Sequence, residues 1–140
     1  MNTGDIISLI SKISEKTNKF IINEMKSFGI KDLAPSHGDI LFVLLKNEKL
    51  TMKEISEKIN KDKSTVTALI DKLIKHGYVE KTRDFKDNRV VFVTLTKKGR
   101  ELKPLFEAIS HNLLSTAYKD INEEESEELL KTLVKLYNNF

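Results

Sequence analysis

Residues 51–95 read TMKEISEKINKDKSTVTALIDKLIKHGYVEKTRDFKDNRVVFVTL, and their punctuation separates two short helices from a β-hairpin. The hydroxyl of Thr51 can cap free backbone N–H groups while Glu54, three residues on, reaches back to it. Ile55 and Ile59 lie four apart and make one inward stripe on a helix of about two turns. Asn60, Lys61 and Asp62 break that pattern, and Asp62 is placed to cap a second helix predicted over residues 63–76. Gly77 then ends it in the left-handed conformation.

On the second helix Val66, Leu69, Ile70, Leu73 and Ile74 share one face at 3.6-residue spacing. This leaves Ser64, Thr67, Ala68, Asp71 and Lys75 outward, flanked by Lys63, Thr65 and Lys72. The outward face of the first turns is small and polar, which suits entry into a groove about 12 Å wide, where Ala68 or the Thr67 methyl could meet a thymine methyl. Taken alone, the same face reads more readily as an ordinary solvated surface. The next stretch favours the groove. Residues 78–83 and 90–95 are β-rich and enclose the polar loop Asp84-Phe85-Lys86-Asp87-Asn88-Arg89, a hairpin with a longer than minimal turn. Of the three arginines in the chain, Arg83 and Arg89 flank this loop. Guanidinium is the weakly hydrated cation that enters a narrow minor groove. The plainer reading pairs Arg89 with Asp87 at the surface; the two are compatible, since a carboxylate two residues away can aim the guanidinium.

Outward from this segment, residues 5–28 carry Ile6, Ile10, Ile13, Phe20, Ile21, Met25 and Phe28 in a three-four rhythm over about six turns, until Gly29. A stripe that long outruns the surface of one small domain. Pro35 and Ser36 open a second helix, with Asp39 in a capping-box-like position, and Ile40, Leu41, Val43, Leu44 and Leu45 mark it as the buried centre. Asn47 and Glu48 turn the chain, and Leu50 can add a short third strand. Thr96 is the expected cap of one helix carrying Leu102, Leu105, Phe106, Ile109, Leu113, Leu114 and Ala117, kinked at Pro104. Asn122 caps the last helix, whose Glu123, Glu124 and Glu125 suit the positive end of its dipole, and Leu129, Leu130, Leu133, Leu136, Tyr137 and Phe140 form its stripe. Charge-poor stripes from both ends of the chain imply a helical dimer interface. The alternative is that they pack only on each other within one chain.

A chain of 140 residues with 39% hydrophobic content fits a single domain. Its net charge of +3 is unevenly spread: residues 49–100 hold 14 basic and 7 acidic side chains, a net +7, and the remainder carries −4. The positive charge thus sits where phosphate binding needs it. No cysteine is present, so disulfides and thiolate metal sites are excluded. The longest apolar run, residues 40–45, cannot span a bilayer, and the N-terminus lacks a basic signal region; a cytoplasmic protein is expected. Walker, dinucleotide-binding and HExxH patterns are missing, so neither an enzyme nor a cofactor is expected. His37, His76 and His111 lie on separate elements.

Residues 51–95 with the following TKKGREL resemble the MarR family of winged helix-turn-helix transcription regulators. The matching pieces are KSTVTALIDKLIKHGYVEK, the Asp87-x-Arg89 wing and LTKKGREL, and order and spacing agree over nearly all 140 residues. The resemblance implies a mainly α fold with a small β-hairpin wing: a winged helix-turn-helix core over about residues 33–96, with dimerisation helices in 1–32 and 97–140. It implies double-stranded DNA as partner, a homodimer on a pseudo-palindromic operator, and a repressor released by a small aromatic or anionic effector. Ser64, Thr65, Thr67 and Ala68 would touch bases and nearby phosphates, Lys63, Lys72 and Lys86 phosphates, and Arg83 and Arg89 the wing's groove, with Asp87 orienting Arg89. Phe20, His37 and Ile109 would lie near an effector cleft. Some relatives sense peroxide with cysteine, which is excluded here, and others sense zinc with histidine and carboxylate ligands. Glu24, His37, Glu107 and His111 are the residues to consider for that, but the His- and Cys-rich pattern of those relatives is missing and no metal is expected. A winged helix that binds protein and not DNA is the competing reading, and the basic skew argues against it.

Overall fold

The computed structural model describes all 140 residues, and the helices expected from residues 51–77 start and stop at their caps. Helix α3 (Met52–Ile59) follows Thr51, whose Oγ1 accepts the Glu54 N–H at 3.2 Å while the Glu54 carboxylate accepts the Thr51 N–H at 3.0 Å. The expected reciprocal capping box is therefore present. Asn60 turns the chain at φ 55°, and α4 (Lys63–Lys75) begins behind Asp62, whose carboxylate accepts the Thr65 N–H at 2.7 Å. Gly77 sits at φ 79°, where a β-carbon would cost roughly 1–2 kcal/mol.

Val66, Ile70 and Leu73 of α4 are buried, but Ile74, expected on the same face, is 38% exposed. At about 100° per residue it falls on the margin of the arc spanned by the other three, where the helix outlasts the core. Strands β2 (Val79–Arg83) and β3 (Val91–Leu95) pair antiparallel with Val79 opposite Leu95 and Arg83 opposite Val91. The third strand foreseen at Leu50 is β1 (Leu50–Thr51), which pairs with the other edge of β3. Period-two alternation then turns Val93 and Leu95 inward beside Leu50 and Val79, and all four are buried.

Helix α2 (Pro35–Lys46) is the buried centre, with Ile40, Leu41 and Leu44 under its neighbours. Its cap differs from the expectation: the Ala34 N–H donates to Nδ1 of His37 at 2.9 Å, so a buried imidazole, and not Ser36 with Asp39, closes the first turn. A ring nitrogen one turn into the helix reaches back as a Glu at that position would.

The expected kinked helix after the wing is two helices. α5 (Lys97–Arg100) is capped by Thr96 Oγ1, and α6 (Lys103–Ala117) starts anew with Pro104 in its first turn. Proline has no N–H to continue the ladder, and position N1 or N2 is where that costs nothing. Gly99 in α5 is compulsory for another reason: a β-carbon there would lie 2.2 Å from the carbonyl oxygen of Tyr78. Thr96 completes this join, its hydroxyl donating to the Gly77 carbonyl.

Seventeen buried apolar side chains form one cluster. It is centred on residues 33–95 but includes Met25 and Ile30 before them and Leu102, Phe106 and Ile109 after. Helix α1 (Ile6–Ser27), preceded by a 3₁₀ turn (Thr3–Asp5), buries only Met25. Helix α7 (Glu123–Asn138) buries nothing, although Asn122 and Glu125 form the expected cap at its start. Between α1 and α7 lies an open groove of about 430 Å³ lined entirely by apolar side chains, among them Ile7, Ile10, Leu133, Val134 and Tyr137. No helix is long and apolar enough to cross a membrane.

Candidate nucleic-acid interface

Of the residues singled out in the sequence, Lys63, Ser64, Thr65, Thr67 and Ala68 fall on the first turns of α4 and Arg83, Lys86, Asp87 and Arg89 on the wing, and Lys63 and Arg89 meet in one cleft. That cleft, of about 530 Å³, runs between α3, α4 and the base of the wing and is lined by Lys63 and Arg89 together with Lys53 and Ser56. Lys53 was not foreseen. Its only sequence signal is a place in the first turn of α3, and nothing local says that this turn faces Arg89.

On α4, Lys63, Ser64, Thr65 and Ala68 are exposed and Thr67 is half-buried. Two hydroxyl protons are already used: Ser64 donates to the Asp62 carboxylate at 2.9 Å and Thr67 to the Lys63 carbonyl at 2.9 Å. These oxygens keep lone pairs for incoming donors. The Asp62 carboxyl is held below its ordinary pKa chiefly by the Thr65 N–H.

On the wing, Arg89 reaches back to Asp87 in a two-pronged pair, Nε to Oδ1 and Nη2 to Oδ2, both at 3.1 Å. Asp87 also accepts the Arg89 backbone N–H, and the pairing holds its carboxyl below the usual range. The Arg89 side chain is nonetheless 91% exposed, a fixed direction with its charge in solvent. Arg83 turns its guanidinium to the Asn88 carbonyl at 2.7 Å, bracing the loop from the other strand, and Lys86 is exposed without an acidic partner within 4 Å.

Lys72 is placed differently from the other lysines. Its ammonium donates to Asp32 Oδ1 at 3.2 Å, while Nε2 of His76, one turn on, lies 3.6 Å from Oδ2 of the same carboxylate. Asp32 stands at φ 67° on the connection between α1 and α2, and Lys72 holds its carboxyl below the ordinary value. Lys72 thus lies on the flank of α4 facing that connection. A sequence separation of 40 residues hid this pair from any local reading.

His37 and Ile109 are buried in the core. No three histidine, aspartate or glutamate side chains stand close enough to hold a metal ion.

Two short helices at a sharp turn followed by an antiparallel hairpin, with a third short strand, define a winged helix-turn-helix. Comparison with known proteins agrees. Residues 31–109 match the family described as transcriptional regulator SarA/Rot. The HTH-type transcriptional regulator SarZ of Staphylococcus haemolyticus is 30% identical over 124 residues, covering 88% of this chain and 83% of that protein. Among solved structures, the transcriptional regulator BldR of Sulfolobus solfataricus superimposes with a TM-score of 0.79 at 28% identity, over the whole of both chains. The Staphylococcus aureus MepR–DNA complex reaches 0.87 at 22% identity over 100% of this chain and 99% of that one. The chain belongs to the SarA/Rot family of transcriptional regulators. Its fold is the MarR-like winged helix that the sequence resembles, and it is a regulator, not an enzyme.

Proposed function

We propose that the protein is a homodimeric, sequence-specific DNA-binding repressor whose paired cores read a pseudo-palindromic operator. The observation that supports this reading is the shared cleft: Lys63, at the start of α4, and Arg89, the directed cation of the wing, line it together, which suits an element entering the major groove beside one entering the neighbouring minor groove. Ser64, Thr65, Thr67 and Ala68 contact base edges and nearby phosphates. Lys63 and Lys86, with Lys53 added, take phosphates. Lys72 takes one only by leaving Asp32. Arg89 enters the minor groove, aimed by Asp87, and Arg83 braces it. Two solved MarR-fold proteins, MarR of E. coli and MepR, are described in complex with DNA, which supports the same partner here.

The second copy covers the apolar groove of α1 and α7. Two-fold symmetry then sets the half-sites about 10 bp apart, centre to centre. An effector, if aromatic and anionic as the resemblance implies, acts by preferring a dimer whose cores are mis-spaced for the duplex. Selection of bound fragments from random duplex DNA by the purified protein tests the reading: enrichment of an inverted repeat at that spacing is expected. Recovery of no sequence, together with salt-independent capture of a protein partner, would replace it with a protein-binding winged helix.

A further inference from the structure

One apolar side chain of the winged helix is left without intramolecular contact to explain it. Phe85, at the wing tip, is 99% exposed; the other large apolar residues of residues 33–96 with sizeable exposure, Phe42 and Ile74, are each 38% exposed. Phe42 has the ammonium of Lys46 over its ring and Phe92 that of Lys49, whereas Phe85 has no such cover. The remaining exposed large apolar residues lie before residue 33 or after residue 96, on the terminal helices, where a second copy is proposed to cover them, or at the chain ends and connections beside those helices. Single exposed apolar residues are ordinary on protein surfaces. This one stands at the tip of an otherwise polar loop that is held in shape around it.

The holding bonds are specific. The Asp84 N–H donates to the Val90 carbonyl and the Val90 N–H to the Asp87 carbonyl, closing the loop at 2.9 and 3.0 Å. The Lys86 N–H donates to the Asp84 carboxylate at 3.2 Å, fixing the residues on both sides of Phe85. Arg83 and Arg89 are each tied to the same loop. The phenyl ring is thus presented from an ordered turn that carries Arg83, Lys86 and Arg89 as well as Asp84 and Asp87. An apolar ring on a loop with guanidinium and ammonium groups fits a groove with phosphates at its rims, apolar sugar walls and base steps that an apolar side chain can part, which is the minor groove of duplex DNA.

We propose that Phe85 is a minor-groove wedge: it enters beside Arg89, partly unstacks one flexible base step in each flank of the operator, and bends the DNA. The proposal rests on the DNA-binding reading above and adds to it a deformation of the DNA. Apolar side chains inserted in this way kink duplexes by roughly 20–90° toward the major groove, most readily at pyrimidine–purine steps. Preference for such a step then becomes part of the sequence the protein selects, at a position where no hydrogen bond reads a base.

The test uses the full chain and the duplex that the wild type selects from random DNA, with 2-aminopurine placed singly through each flank. Wild-type binding is expected to raise fluorescence at one position per flank and to retard circularly permuted fragments as a bent complex does. Phe85→Ala should abolish the fluorescence rise, reduce the bend and weaken binding about ten-fold, the scale of one lost aromatic contact to a base. Its thermal midpoint should not move, because the ring packs against nothing in the fold. Phe85→Leu, still an apolar wedge, should restore most of the bend. A Phe85→Ala protein that keeps the fluorescence change and the bend overturns the proposal, as does a wild type that binds its selected duplex without either signal. If the wild type selects no duplex at all, it is the DNA-binding reading that fails first.

Discussion

Helices α4 and α7 are built to the same local standard and end in opposite environments. Each begins with a side-chain cap, Asp62 for one and Asn122 for the other, and each carries an apolar stripe. Three residues of α4 are fully buried; none of α7 is, and Leu130 and Tyr137 stand 63% and 74% exposed. The difference teaches that caps and periodicity make a helix, but only a neighbour makes its stripe useful. An isolated helix of this length is marginal in water. The core around α2, α4 and the sheet is covered by its own chain, whereas the groove between α1 and α7 is left open and apolar.

The contrast can be broken most directly at α7. Leu133→Glu places a charge in that groove, and we expect sedimentation to show single chains and binding to a two-half-site duplex to fall by about 10² or more, the usual gain from linked sites. A variant that stays dimeric would mean that α7 does not pair the chains. Next in size are two substitutions away from that groove. Arg89→Ala should cost about 1–3 kcal/mol of operator affinity in a titration while leaving the melting curve in place, since the side chain is solvent-exposed. Gly99→Ala should do the reverse, lowering stability by about 1–3 kcal/mol through overpacking against the Tyr78 carbonyl, read in chemical denaturation. Smaller still, Lys86→Ala should weaken binding to all sequences alike and reduce the slope of log affinity against log salt by about 1.

The smallest effect follows from His37. Burial, with the nearby charge of Lys72, pushes its pKa below the ordinary 6.5, and its neutral ring is the form that accepts the Ala34 N–H. The unfolded chain therefore takes up this proton at higher pH than the folded one. Its contribution to stability is complete above about 6.5 and is lost as pH falls from there through the folded value. The thermal midpoint should decline on mild acidification, and His37→Gln should flatten that decline. An unchanged slope would assign the acid sensitivity elsewhere.

Reading the chain locally succeeds where the physics is local. Thr51 with Glu54, Asp62, Asn60, Gly77 and Asn122 are caps and stops acting within four residues, and each is found in its expected role. The wing pair Asp87–Arg89 is two residues apart and was equally legible. Where the structure differs, the reasons are not local. Periodicity turns Ile74 inward because it gives direction but not how far the core extends. The apolar rhythm continues past Pro104 and so predicts a kink, while the break depends on how α5 docks on Tyr78. Histidine at position 37 signals no cap by itself.

The sequence by itself determined the caps and stops of α3, α4 and α7 and that positive charge gathers over residues 49–100, because caps, periodicity and charge are properties of neighbours along the chain. Only the tertiary structure decided that Lys53 joins Lys63 and Arg89 in one cleft, that Lys72 turns to Asp32, and that α7 lies uncovered. These depend on which surfaces meet across tens of residues, and apolar burial, being non-directional, leaves no mark of its partner in a local pattern.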